Sequence, residues 1–261
     1  MKINFTILFF IFTLKMFSQN IDKDISQIFN DYDAAFVLYD YNNQKFIKHN
    51  PERCAERFLP ASTFKIPNSL IGLETGIIKD AEFVIPWDSV KTWNPVWNKD
   101  HTLRSAVQTS CVPYFRELAR RIGREKSQHY LNIFDYGNKT IGEKEDFYWL
   151  DNSLKISADE QIIFLKKFYE NKLSVSQRNI DLVKEMIIID STENYILRAK
   201  TGGGEKEDGK FIGWYVGYLE TKSNIYLFAL NIDAETFEEM APSRKELTTK
   251  VFKQLEIIPE K

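Results

Sequence analysis

The chain of 261 residues carries 35 Lys and Arg against 37 Asp and Glu, a formal net charge of −2, and is 43% hydrophobic and 14% aromatic. So mixed and mildly acidic a chain has no basic stripe, which excludes nucleic acid as a partner, and its three histidines, His49, His101 and His129, lack metal-ligand spacing, which sets a zinc hydrolase aside. Length and apolar content suit one large domain or two closely packed lobes.

The chain opens Met1-Lys2 and runs from Ile3 to Leu14 almost without charge, with small Ser18 near a cleavage point. Residues 1–18 read as a secretory signal peptide, because a membrane span needs about 20 apolar residues. The expected mature product, residues 19–261, is one secreted, periplasmic domain without membrane insertion. Export permits a disulfide, yet Cys54 and Cys111 lie far apart and a domain of this size needs no staple. Two separate buried thiols are the better expectation.

Ala34 to Tyr39 and Gln44 to Lys48 read as strands around an Asn42-Asn43 turn. Asn50 to Leu59 reads as polar and irregular, leading to Ser62-Thr63-Phe64-Lys65. From Ile66 the apolar spacing is helical, and Pro67 predicts a tight 3₁₀ first turn, with Gly76 closing the helix. Trp87, Trp93 and Trp97 follow in an aromatic-rich stretch and read as core packing. Helices are predicted over Leu103 to Gln108, from Tyr114 to a stop at Gly123, after a Ser157/Glu160 capping box, and through Ile180, Val183 and Ile187. Strands are predicted at Tyr195 to Lys200, Phe211 to Glu220 and Ile225 to Ile232. A last helix is expected behind a Ser243/Glu246 capping box. The fold class is α+β: a three-layer domain whose central antiparallel sheet comes from both chain ends, about residues 22–60 and 190–261, with a helical insertion lobe at about 66–188.

Alone, S-x-x-K is explained as economically by a capping serine and a solvated lysine. Three further motifs change that: Ser110-Cys111-Val112 at a break between helices, Tyr136-Gly137-Asn138 in a loop, and Lys200-Thr201-Gly202 at a strand end before Gly203 and Gly204. In this order the set resembles the class D serine β-lactamases, the oxacillinase type, over nearly the whole mature chain. S-x-V stands where class A enzymes carry S-D-N. The resemblance also takes in Phe36 to Asp40, Phe58 to Lys65, Tyr148-Trp149-Leu150 and Trp214 to Gly217.

The resemblance implies hydrolysis of small-molecule β-lactam antibiotics, and hence antibiotic resistance. Ser62 would be the acylated nucleophile and Lys65 the general base, carrying a CO2-derived carbamate as a modification, with no other cofactor. Ser110 would relay a proton to the lactam nitrogen, while Lys200, Thr201 and Arg244 would hold the substrate carboxylate. The backbone N–H groups of Ser62 and Gly203 would form the oxyanion hole, and Trp149 would donate to the modified lysine. Tyr136 to Asn138 would be scaffolding. Cys111 sits at a variable position and takes no role.

The residues themselves support a special lysine. An amine with a pKa of about 10.4 is no base near neutral pH unless desolvated, and Phe64, Val112, Trp149 and Leu150 are the apolar groups the motifs bring around Lys65. No E-x-x-L-N pattern lies between Tyr136 and Leu154, so no glutamate is available for deacylation and Lys65 is expected to serve both half-reactions. A penicillin sensor that stays acylated and a peptidoglycan D,D-peptidase remain as alternatives at this stage.

Overall fold

The computed structural model describes residues 25–259, so the signal-peptide reading of residues 1–18 lies outside the described residues. Strands β1 (Ala34–Asp40) and β2 (Lys45–His49) form the expected hairpin. The stretch 50–59, read as irregular, holds helix α1 (Pro51–Ala55) and strand β3 (Arg57–Phe58). Asn50 at φ 51 caps α1 by accepting from the Arg53 N–H, and Pro51 opens the helix; this start signal outweighs the polar composition. A 3₁₀ turn, Ala61–Phe64, precedes α2 (Lys65–Glu74), as Pro67 implied.

Strand β4 (Val84–Ile85) pairs with β5 (His101–Thr102), and then come α3 (Leu103–Gln108), α4 (Val112–Ile122) and α5 (Arg124–Phe134). Gly123, at φ 78, turns the chain directly from α4 into α5, a helix that the sequence reading passed over. Strand β6 (Ile156–Ser157) pairs with β3 and leads into α6 (Ala158–Tyr169), whose capping box, Ser157 with Glu160, is complete. Helix α7 (Gln177–Met186) ends the helical stretch. Then follow β7 (Ile188–Ser191), β8 (Tyr195–Glu205), β9 (Phe211–Thr221), β10 (Ile225–Ala234) and α8 (Phe237–Gln254).

Two boundaries differ from expectation. Strand β8 does not stop at Lys200; it carries the glycines to Glu205 because Gly202, Gly203 and Gly204 pair in register with Trp214, Gly213 and Ile212. Helix α8 starts well before Ser243. Thr236 caps it by accepting from the Glu239 N–H at 3.3 Å, Ser243 Oγ donates to the Glu239 carbonyl inside the helix at 2.8 Å, and Pro242 is accommodated with the loss of one amide donor.

The six-stranded antiparallel sheet runs β2-β1-β10-β9-β8-β7 and thus joins both chain ends. Side chains alternate across it, as the pleat requires. Phe36, Leu38, Tyr215, Phe228 and Leu230 pack with Phe29, Leu247, Val251 and Phe252 on one face. Val37, Trp214, Val216, Leu227 and Ala229 join Ile162, Leu165 and Phe168 of α6 and the helical region on the other. Both faces are covered, which makes the strands continuous apolar runs. Helix α6 lies against β1 and β10, so part of the insertion belongs to the layer on the sheet. Cys54 and Cys111 are separate buried thiols, and burial pushes the Cys54 pKa up to about 12. Among the described residues no helix is long and apolar enough to cross a membrane.

Tyr136-Gly137-Asn138 is scaffolding for the loop that ends at β6. Asn138 Oδ1 accepts from the Lys155 N–H (2.9 Å) and Thr140 N–H (3.2 Å), and its Nδ2 donates to the Ser153 carbonyl at 2.8 Å. Gly137, at φ 55, lies against the Lys155 carbonyl with no room for a Cβ. Gly137→Ala should therefore cost roughly 2 kcal/mol or more. Gly76→Ala has the same sign of φ but open space around it, and should cost about 1 kcal/mol. Urea midpoints of the two variants check the difference.

Candidate active site

The turn that carries Ser62 is held under strain. Ala61, just before it, sits at φ 46, a left-handed conformation that costs a non-glycine residue of the order of 1–3 kcal/mol. Fastenings on several sides keep it there. The Ala61 N–H donates to the Trp149 carbonyl at 3.1 Å, the Thr63 hydroxyl to the Pro60 carbonyl at 2.7 Å, and Gln161 Nε2 to Thr63 Oγ1 at 3.0 Å. Trp214 Nε1 donates to the Leu59 carbonyl at 2.9 Å, which is packing, as expected for that tryptophan. A Cβ at Gly202 would come within 2.9 Å of the Pro60 carbonyl, so only glycine lets β8 lie this close to the serine turn.

Lys65, at the first position of α2, brings Nζ to 2.8 Å from Ser62 Oγ. It is 1% exposed, its Nζ lies 5.2 Å from the Phe115 ring centre, and no carboxylate contributes to its environment. Burial without an anionic partner disfavours the cation, and the pKa falls from 10.5 to about 7. Near neutral pH a substantial fraction of the amine, about half at pH 7, is unprotonated and can take the serine's proton.

Ser110 comes from the break between α3 and α4 and is also left-handed, at φ 56. Lys200 Nζ, on β8, donates to Ser110 Oγ at 3.1 Å and to the Thr201 carbonyl at 3.2 Å. Burial lowers the Lys200 pKa well below its usual value, and the neighbouring charges of Lys65, Arg244 and Lys245 lower it further. Arg244, in the interior of α8 rather than its first turn, donates through Nη1 to the Gly202 carbonyl and to Met240 Sδ, while its buried Nε has no partner. Burial lowers its pKa to about 10. Gly203 makes this approach possible, because a Cβ there would meet Met240 Cε at 2.7 Å and Arg244 Nη1 at 3.1 Å.

These groups surround a cleft of about 760 Å³. Ser62, Ser110, Thr201, Gly203 and Arg244 supply its polar lining, and Val112, Trp93, Trp97, Phe147, Leu150, Phe211 and Phe237 much of its apolar wall. Trp149 stands behind it, fully buried and stacked on Phe64 with ring centres 5.6 Å apart, its indole N–H without an acceptor. A buried donor in that state leaves one hydrogen bond to be made. A neutral amine beside a serine, and a buried arginine that no described carboxylate pairs with, suit acyl transfer from a small anionic compound.

The sequence-predicted residues thus converge on one cleft. Trp93 was misread: it is 74% exposed and lines the cleft, its ring 5.1 Å from Trp97 and 6.2 Å from Phe237. Trp87 is only partly buried, and Trp97 alone of the three is core-like. The polar neighbours Asn94 and Asn98 were the signal that this aromatic stretch reaches solvent. Among the described residues no cluster of His, Cys, Asp and Glu could hold a metal ion.

Residues 34–255 match the family of the penicillin-binding protein transpeptidase domain. The chain is 44% identical over 226 residues to β-lactamase OXA-48 of Klebsiella pneumoniae, covering 87% of this chain and 84% of that one. It is 38% identical over 215 residues to the regulatory protein BlaR1 of Bacillus licheniformis, covering 82% of this chain but 36% of that protein. The crystal structure of FUS-1 (OXA-85), a class D β-lactamase from Fusobacterium nucleatum subsp. polymorphum, superposes with a TM-score of 0.86 at 39% identity, over 94% of this chain and 99% of that one.

The Lys65 environment sets a pH dependence. An amine depressed to about 7 is the free base above that pH and a cation below it, so the base is lost as pH falls. Labelling of Ser62 by a serine-directed acylating probe should be level above pH 8 and drop about tenfold per pH unit well below 7. Stopped-flow labelling across pH 5–9 measures it, and a flat profile would mean that Lys65 is not the base.

Proposed function

This chain belongs to the class D serine β-lactamases, within the penicillin-binding protein transpeptidase domain family, and on that premise we infer that it hydrolyses β-lactam antibiotics through an acyl-enzyme on Ser62. The observation that carries the reading is the Lys65 amine, 2.8 Å from Ser62 Oγ and lowered by burial to a pKa of about 7. Ser62 attacks the lactam carbonyl as Lys65 takes its proton. The developing oxyanion meets the backbone N–H groups of Ser62 and Gly203. As the ring C–N bond breaks, Ser110, oriented by Lys200, passes a proton to the nitrogen. Thr201 and Arg244 hold the substrate carboxylate, and Val112 packs against the ring system.

Hydrolysis of the ester needs a base again, and the only carboxylate lining the cleft among the described residues is Glu238, exposed in the first turn of α8. Lys65 therefore serves twice. Carbon dioxide adding to its neutral amine, with an N–H proton released to solvent, would supply an anionic oxygen base at this position. Two features of the chain suit that modification: an amine that is in good part unprotonated near pH 7, and the unpartnered, buried indole N–H of Trp149. Export by residues 1–18 puts the activity in the periplasm or outside the cell, where it would confer resistance.

A chromogenic cephalosporin tests the reading. We expect sustained turnover, depressed in degassed, mildly acidic buffer and restored by bicarbonate. Release of one equivalent per protein would point instead to an acylated sensor, the reading that the likeness to the regulatory protein favours. Turnover indifferent to bicarbonate, with no carbamate signal by 13C NMR, would remove the lysine modification. Arg244→Ala should lower kcat/KM by roughly 10- to 100-fold, as losing a charged hydrogen bond of about 1.5–3 kcal/mol implies, mostly through KM.

A further inference from the structure

The loop from Lys139 to Lys155 is irregular, yet it delivers Phe147 and Leu150 to the cleft and Trp149 to the buried region behind it. Its far end is tied down by Asn138, as described above. Its middle is tied by the side chains of Glu145, whose Oε2 accepts from the Arg124 N–H at 3.1 Å, and of Asp146, three residues before Trp149. Asp146 Oδ2 accepts from Arg116 Nε at 3.1 Å, from Arg116 Nη2 at 2.8 Å, and from Arg120 Nη1. Its side chain is 12% exposed, against 41% and 45% for the two arginines, so one nearly buried carboxylate is shared by two guanidinium groups. Arg116 also stacks on Phe147, with Cζ 5.2 Å from the ring centre.

The partners matter as much as the pair. Arg116 and Arg120 stand one turn apart on α4, the helix that begins directly after Ser110 and Cys111. Arg124, at the start of α5, holds the preceding segment by donating to the carbonyls of Ile141 (3.1 Å), Gly142 (2.5 Å) and Glu143 (3.0 Å). Beyond Asp146, the Trp149 carbonyl accepts the Ala61 N–H of the serine turn. The chain between Asp146 and Trp149 is thus stretched between the helix that delivers Ser110 and the turn that delivers Ser62, with the indole in the middle.

We propose that Asp146 is a positioning residue for deacylation: clamped by Arg116 and Arg120, it fixes the Trp149 indole N–H at the depth where it serves the base on Lys65. The proposal rests on the role given to Trp149 and Lys65 above. A surface ion pair on a mobile loop would contribute little. A near-buried carboxylate that sets the path of a catalytic loop affects geometry instead, and a displacement of about 1 Å can cost roughly 10²-fold in rate.

The test is a cycle of Asp146→Asn, Trp149→Ala and the double variant, read by stopped-flow acylation, by acyl-enzyme mass spectrometry and by the bicarbonate concentration giving half-maximal turnover. In Asp146→Asn, acylation should stay within a few-fold of the native rate, deacylation should slow by about 100-fold, and more bicarbonate should be needed. A loop that merely lost stability would damage both half-reactions alike. The double variant should deacylate no more slowly than Trp149→Ala alone. Slow deacylation in Trp149→Ala with native deacylation in Asp146→Asn overturns this inference and leaves the proposed mechanism standing; so do losses that multiply in the double variant. Native deacylation in Trp149→Ala overturns the role of Trp149, and with it any residue acting through it. Should Asp146→Asn fail to fold, Arg120→Gln keeps half the clamp and must show the same slow step in smaller measure; native deacylation there overturns the proposal.

Discussion

Taking the Lys65 amine out of water is the constraint around which the site is built. An unpaired ammonium in an apolar interior costs several kcal/mol, and the group escapes that cost by giving up its proton. A carboxylate beside Lys65 would restore the cation and abolish the base. The group set against the amine is accordingly the Phe115 ring rather than an acid. Burial lowers the Lys200 pKa in the same way, whereas Arg244, lowered only to about 10, keeps its charge near neutral pH. Arg244 thus lines the cleft as a cation that no described carboxylate pairs with, which leaves a positive potential there suited to an anion.

Strain and packing serve that arrangement. Both serines are delivered by left-handed residues, Ala61 ahead of one and Ser110 itself, and such conformations persist only where the surroundings over-determine them. The over-determination comes from the sheet on one side and the Lys139–Lys155 loop on the other. Gly202 lets β8 come within contact distance of the serine turn, and Gly203 lets Arg244 come as close to β8. The site is a seam between layers, and each layer holds part of it.

Much of this was legible in the sequence, because local chemistry speaks locally. The hairpin, the 3₁₀ turn before Pro67, the Ser157/Glu160 box and the motif order were read from short windows, and three of the four motifs do meet at one cleft while Tyr136-Gly137-Asn138 scaffolds the loop beside it. The misreadings share a cause. The true start of α8 lies ahead of Pro242, a residue that usually ends helices; here its lost amide is affordable because Met240, Leu247 and Val251 bury a long apolar face. Trp93 looked like core because aromatic density was taken for burial, when a cleft wall demands the same composition. Asp146 gave no signal at all. Its meaning depends on Arg116 and Arg120, some thirty residues earlier and brought near only by the fold.

The two cysteines carry a final consequence. Cys54 donates its thiol to the backbone carbonyls of Phe36 and His49, and Cys111 lies buried next to Ser110, so neither sulfur is available to the other. The native state is closed by apolar packing, hydrogen bonds and ion pairs, without a disulfide. Reaching that state therefore calls for no thiol–disulfide chemistry from the compartment in which the chain folds.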